Sequence, residues 1–165
     1  MFWSGLVLPP ELLAAAYSVP QVQAVFLFNF AQFIKWPTKA FPDSGSPLTI
    51  GVLGANPFGG ALDNTVRGET VSGRRMAVKY SRRVEDLKNC QIVFVSQSEA
   101  GRLGSVLGAF QNTSVLTVSD IPRFCEKGGM INFRVEGGQV RFSVNTQPAK
   151  NAGLQISSKL LRLAK

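Results

Sequence analysis

Histidine is absent from all 165 residues, which removes the Ser-His-Asp and Cys-His nucleophile arrangements together with the commonest metal ligand. Cysteine is scarce: Cys90 and Cys125 alone, without histidine, are too few for a tetrahedral zinc site. Acidic residues number 10 against 18 basic ones and are spread out, with no close carboxylate pair to share general acid and base work. No run of about eighteen apolar residues is present to cross a bilayer as a helix. What chemistry is left would fall to carboxylate, lysine or tyrosine, and no catalytic residue, metal or cofactor is assigned from the sequence.

The chain is instead rich in core material. Its 45% hydrophobic residues, with 12 phenylalanines, suffice for one independently folding domain. The formal charge of +8 points to an anionic partner, whether an acidic protein face, nucleic acid or a membrane surface. The basic residues are scattered, with no basic tail and no aromatic-interleaved basic motif, so a nucleic-acid partner is not expected. The opening MFWSGLVLPPELLAAAYS is apolar and reaches a small-residue run at Ala14-Ala15-Ala16, like the end of a secretory signal, but lacks a basic start and is broken by Pro9, Pro10 and Glu11. Residues 1–17 read as a signal remnant or an N-terminal arm, and 18–165 as a single domain.

From Ser18 the pattern is helical, through Val22, Val25, Phe26, Phe30 and Phe33, until Trp36-Pro37 stops it. Leu27, Phe28 and Ile34 widen the apolar surface beyond one stripe, which favours a helix buried between layers over an exposed docking face. Strands and helical segments then alternate: strand Leu48–Leu53, helix Pro57–Val66, strand Met76–Tyr80, short helix Val84–Lys88, strand Gln91–Val95, helix Glu99–Phe110, strand Ser114–Val118 and short helix Ile121–Glu126. Alternation of this kind predicts a parallel sheet covered by crossover helices. Met130–Val135 and Gln139–Val144, separated by Glu136-Gly137-Gly138, predict a C-terminal antiparallel hairpin. Ala149, Ala152, Ile156, Leu160 and Leu163 have the spacing of one closing helix. The fold class expected is α/β: a Rossmann-like three-layer domain with a mostly parallel sheet and helices on both faces.

Within the first strand-to-helix turn, Gly54-Ala55-Asn56-Pro57-Phe58-Gly59-Gly60-Ala61 matches the glycine spacing of a phosphate loop. Gly60 stands where a lysine must reach phosphate and Ala61 where a hydroxyl must hold magnesium, so the glycines read as a tight turn. An alternative stays open: a small-ligand crevice at the carboxyl ends of the strands, using Gly54, Thr117, Ser119 and Asp120, or an NADP site if Arg82 and Arg83 follow the second strand to meet a 2′-phosphate. The plain role for Asp120 is to cap a helix beginning at Ile121.

Four phrases carry a resemblance to a known family: VFLFNFAQFIKWP (Val25 to Pro37), NCQIVFVS (Asn89 to Ser96), VLTVSDIPRFCEKGGMINF (Val115 to Phe133) and VRFSVNTQPAKNAGLQISSKLLRLA (Val140 to Ala164). Together, from about Val22 to Leu163, the chain resembles the YfiR family of secreted bacterial regulators. The resemblance implies a non-catalytic periplasmic protein that holds an inner-membrane diguanylate cyclase inactive by binding its periplasmic part, lowering cyclic-di-GMP and biofilm formation. It further implies relief by an outer-membrane lipoprotein, and a homodimer. Such a protein works by contact, and helical spacing offers the exposed side of the last helix, Gln155, Ser158, Lys159 and Arg162, as the candidate partner-binding surface, against the plainer reading of a solvated helix back. An oxidising compartment invites a disulfide, but Cys90 and Cys125 are expected unbonded, because the third and fifth strands that they border would lie two strand spacings of about 4.8 Å apart, and a disulfide wants Cα atoms within about 7 Å.

Overall fold

The computed structural model describes residues 17–164. Helix α1 (Val19–Phe33) begins in a capping box: the Ser18 hydroxyl accepts from the Gln21 N–H, and the Gln21 side chain accepts from the Ser18 N–H at 2.8 Å. Pro20 sits in the first turn, where its missing N–H costs nothing. The helix stops because Ile34 turns extended and opens the short strand β1 (Ile34–Lys35).

A sheet of seven strands follows. Its members are β2 (Leu48–Leu53), β3 (Thr70–Val71), β4 (Arg74–Ser81), β5 (Ile92–Val95), β6 (Leu116–Ser119), β7 (Ile131–Glu136) and β8 (Gln139–Val144). They lie in the order β3-β4-β2-β5-β6-β7-β8, with the five strands from β4 to β7 parallel and antiparallel pairs at both edges. The expected Rossmann-like α/β architecture, with its C-terminal hairpin, is therefore the one observed. Helices α2 (Ala61–Val66) and α3 (Leu103–Phe110) are the crossovers.

Alternation along the strands sorts the core into two layers. Ile92 and Phe94 of β5 join Leu27 and Phe30 of α1, while Val93 and Val95 join Leu103 and Val106 of α3. Phe30 is the centre of an aromatic cluster, its ring 5.2 Å from that of Phe142 and 5.7 Å from that of Phe133. Gln91 shows how a buried polar group is tolerated: its side-chain oxygen accepts from Thr49 N–H at 2.7 Å and its amide donates to the Ala40 carbonyl at 2.8 Å.

Beyond the helix expected over Pro57–Val66, which begins at Ala61, and the unexpected two-residue strands β1 and β3, the structure departs from the sequence reading in three further places. Residues 97–102 form a 3-10 segment ahead of α3, so the expected Glu99–Phe110 helix starts later. Residues 121–128 are turns, because Asn132 holds them: its Oδ1 accepts from the Phe124 N–H at 3.2 Å and its Nδ2 donates to the Ile121 carbonyl at 3.0 Å. Arg123, with φ +65°, also leaves the helical region. The single closing helix is in fact α4 (Thr146–Asn151), strand β9 (Gln155–Ile156) and α5 (Ser158–Leu163). Gly153, at φ +79°, turns the chain out of α4 and β9 pairs antiparallel with β1, giving a separate ladder of two strands. Both cysteines are free: Cys90 Sγ packs toward Gly51, whereas Cys125 Sγ lies 3.6 Å from the Met130 and Ser143 carbonyls.

Candidate functional site

Strand order reverses between β2 and β5, the position at which a doubly wound sheet opens a crevice beyond its carboxyl ends. Gly54 stands there with φ +95°, and a Cβ would run into the Ser98 hydroxyl and the Glu99 carboxylate. The glycine thus permits the chain to pack on itself. Ser98 Oγ accepts from Ala55 N–H at 3.0 Å and donates to Glu99 Oε2 at 2.8 Å. Arg102 completes the plug, its Nε donating to Glu99 Oε1 at 2.5 Å and its guanidinium to the Arg82 carbonyl at 2.9 Å.

Glu99 is only 6% exposed. Burial alone would raise its pKa, but the hydrogen bonds from Ser98 and Arg102 and the Arg102 and Arg82 charges outweigh it and hold the carboxyl below the usual glutamate range. An ionised carboxylate held where a nucleotide phosphate would sit repels that phosphate. The Arg82 charge adds to the field that lowers the Glu99 pKa, and the Arg83 N–H donates to Ser81 Oγ at 3.0 Å.

The other expected crevice residues do not converge with Gly54. Ser119 is fully buried, its hydroxyl donating to the Val95 carbonyl at 2.6 Å and accepting from Ile121 N–H at 3.0 Å. That contact corrects the capping role given to Asp120. Asp120 instead accepts through Oδ2 from the buried Gln23 amide at 3.4 Å, and its carbonyl accepts from Gln97 at 3.0 Å. Thr117 accepts from Met130 N–H at 3.2 Å and borders a different groove of 470 Å³, between the end of α3 and the start of α4. This groove has an apolar floor that includes Leu107 and Met130 and a rim of carboxamides, among them Gln111, Asn145 and Asn151, with Lys127 as its single charge among the described residues. Among the described residues no group of three His, Cys, Asp or Glu side chains is placed to hold a metal.

The residues expected to contact a partner are distributed differently from the sequence reading. Gln155 lies in β9, whereas Ser158, Lys159 and Arg162 lie in α5, which Ser157 caps by accepting from Lys159 N–H at 3.2 Å. All four are exposed. Gln155 and Lys159 share an open groove of 510 Å³ with Lys35, which the sequence reading missed. Lys35 is the cross-strand neighbour of Gln155, a pairing made by the β1–β9 ladder and invisible to helical spacing.

Residues 20–165 match the DUF4154 family, described as YfiR/HmsC-like. The chain belongs to the YfiR/HmsC-like family. No curated protein matches it. Among solved structures it is similar to the crystal structure of a conserved domain protein from Vibrio cholerae O1 biovar El Tor str. N16961, with a TM-score of 0.57 and 13% identity over 90% of this chain. The chain spans 60% of that protein, and the likeness is one of fold. YfiR/HmsC-like proteins are regulatory signalling proteins of the periplasm rather than known enzymes. Among the described residues no helix is long and apolar enough to cross a membrane.

Proposed function

We propose that this YfiR/HmsC-like chain is a periplasmic repressor that binds the periplasmic part of an inner-membrane diguanylate cyclase and holds it inactive, lowering cyclic-di-GMP and biofilm formation. Family membership across residues 20–165 carries the reading. The plugged carboxyl-end crevice supports it, since Glu99 occupies the position a nucleotide-dependent enzyme would give to phosphate. Relief by an outer-membrane lipoprotein and assembly as a homodimer belong to the same proposal.

Repression by contact has a definite energetic requirement. The domain must bind the inactive cyclase conformation more tightly than the active one, because a ligand shifts an equilibrium only by its differential affinity. Moving the cyclase from 99:1 active to 99:1 inactive takes a preference of about 10⁴-fold, or about 5.5 kcal/mol. An ordinary protein interface supplies that. Deleting the gene is expected to raise cyclic-di-GMP, with more biofilm and less motility, and deleting the cyclase as well is expected to erase the effect. Unchanged cyclic-di-GMP in the deletion strain, with the cyclase expressed, rejects the repressor reading. The carboxamide-rimmed groove beside Thr117 favours the second reading, a periplasmic small-ligand sensor, which then takes first place.

A further inference from the structure

The ladder that joins the two ends of the domain carries two lysines, Lys35 and Lys159, along one open groove. Lys35 and Gln155 are cross-strand partners on its outward side, while their neighbours Ile34 and Ile156 form the adjacent pair, with Ile34 buried. Lys159 enters the same groove from the first turn of α5, and Gln32 enters from the last turn of α1. Phe33 and Ile156, both partly exposed, supply apolar surface between the lysines. Among the described residues no aspartate or glutamate lines the groove and neither lysine forms an ion pair.

We infer that the groove along the β1–β9 ladder is the docking site for an acidic segment of a partner protein. The inference rests on the repressor reading and names the surface through which it would act. Two ammonium groups flanking apolar side chains match a segment in which carboxylates bracket an apolar residue, and the Gln32 and Gln155 carboxamides offer both donors and acceptors to its peptide groups. A second copy of this chain, with 18 basic residues against 10 acidic ones, brings this groove no excess of carboxylates, so the homodimer of the repressor reading is assigned to another face. The helix that supplies Lys159 also exposes Leu163, one turn on along the same face, at 58%, which extends the apolar surface beside the groove.

The test uses the full chain and the full-length cyclase, solubilised from the source envelope. Wild type is compared with Lys35→Glu/Lys159→Glu and with Arg67→Glu/Lys88→Glu, a control that makes the same net-charge change at exposed residues outside the groove. Thermal melts establish that all three fold alike. The groove variant is expected to bind the cyclase about tenfold more weakly at low salt, with the control losing much less. A carbodiimide, which joins an amine to a carboxylate with loss of water, is expected to link Lys35 or Lys159 to an aspartate or glutamate of the cyclase, read by mass spectrometry. Equal capture of the cyclase by wild type and the groove variant overturns the docking site and leaves the repressor reading standing. A wild type that captures no cyclase overturns both. Two further results overturn the inference by naming another occupant: loss of binding to phosphatidylglycerol vesicles with cyclase capture intact, or loss of self-association by the groove variant alone.

Discussion

Cys90 shows how the fold decides a side chain's chemistry. Its thiol is buried beside Gly51, where an added Cβ would stand 3.0 Å from the sulfur and 3.1 Å from Leu87. Burial pushes its pKa up from 9.0 to about 11, against the opposing pull of the Lys79 charge. Near pH 8 the thiolate fraction then falls about a hundredfold relative to the unfolded chain. A disulfide reagent is therefore expected to label Cys90 at least that much more slowly in native than in urea-unfolded protein, measured on a Cys125→Ala background. Equal rates would show the thiol to be open. The sign of the linked stability follows from the same shift. The fold favours the protonated thiol, so this contribution is fully present below pH 9 and is lost as pH rises from 9 through about 11, where the unfolded chain releases its proton first. Cys90→Ala on that background removes this part of the alkaline loss.

Helix α1 holds the architecture at the scale of elements, since it packs against the sheet and then delivers β1 to the ladder. Phe30→Ala removes the ring at the centre of its aromatic cluster and is expected to cost about 3–5 kcal/mol in urea unfolding. Val25→Ala, on the same helix but 42% exposed, is expected to cost well under 1 kcal/mol, within about 0.5. A loss at Phe30 no larger than at Val25 would mean that α1 is not part of the cooperative core. The same elements show what a sequence can reveal. Strand β2 is legible residue for residue because an apolar run is bounded by Pro47 and Gly54, and β8 because Gly137 and Gly138, with φ +56° and +79°, fix the hairpin turn. Strands β1, β3 and β9 have two residues each, too few for any period to register. The closing segment misleads because Ala149, Ala152, Ile156 and Leu160 keep helical spacing even though Gly153 breaks the helix between them. The docking groove is half legible for that reason: helical spacing points to Gln155 and Lys159, but Lys35 lies near the other end of the chain and joins them only through tertiary pairing. The Glu99–Arg102 plug had a visible signal, an i,i+3 pair of opposite charge, but nothing in that spacing says that it fills the crevice beside Gly54.

Charge acts on the molecule as a whole. With +8 spread over many exposed lysines and arginines, an acidic partner feels attraction well before any contact forms, and the range of that attraction is set by salt: about 10 Å at 0.1 M and about 3 Å at 1 M. Short-range contacts, including the Phe33 and Ile156 side chains of the groove, are screened far less because they rest on apolar burial. The two contributions therefore separate in kinetics. The association rate of this chain with the cyclase is expected to fall about tenfold or more between about 0.05 M and 0.5 M salt, while the dissociation rate changes little. Reversing Arg67 and Lys88, both outside the groove, should flatten the salt dependence of association without shortening the life of the complex. Reversing Lys35 and Lys159 should do both, since those charges steer the partner and then touch it. Surface plasmon resonance across a salt series reads the two rates directly. An association rate that does not vary with salt would mean that the partner's surface is not acidic, and the charge of this chain would then serve something other than the encounter.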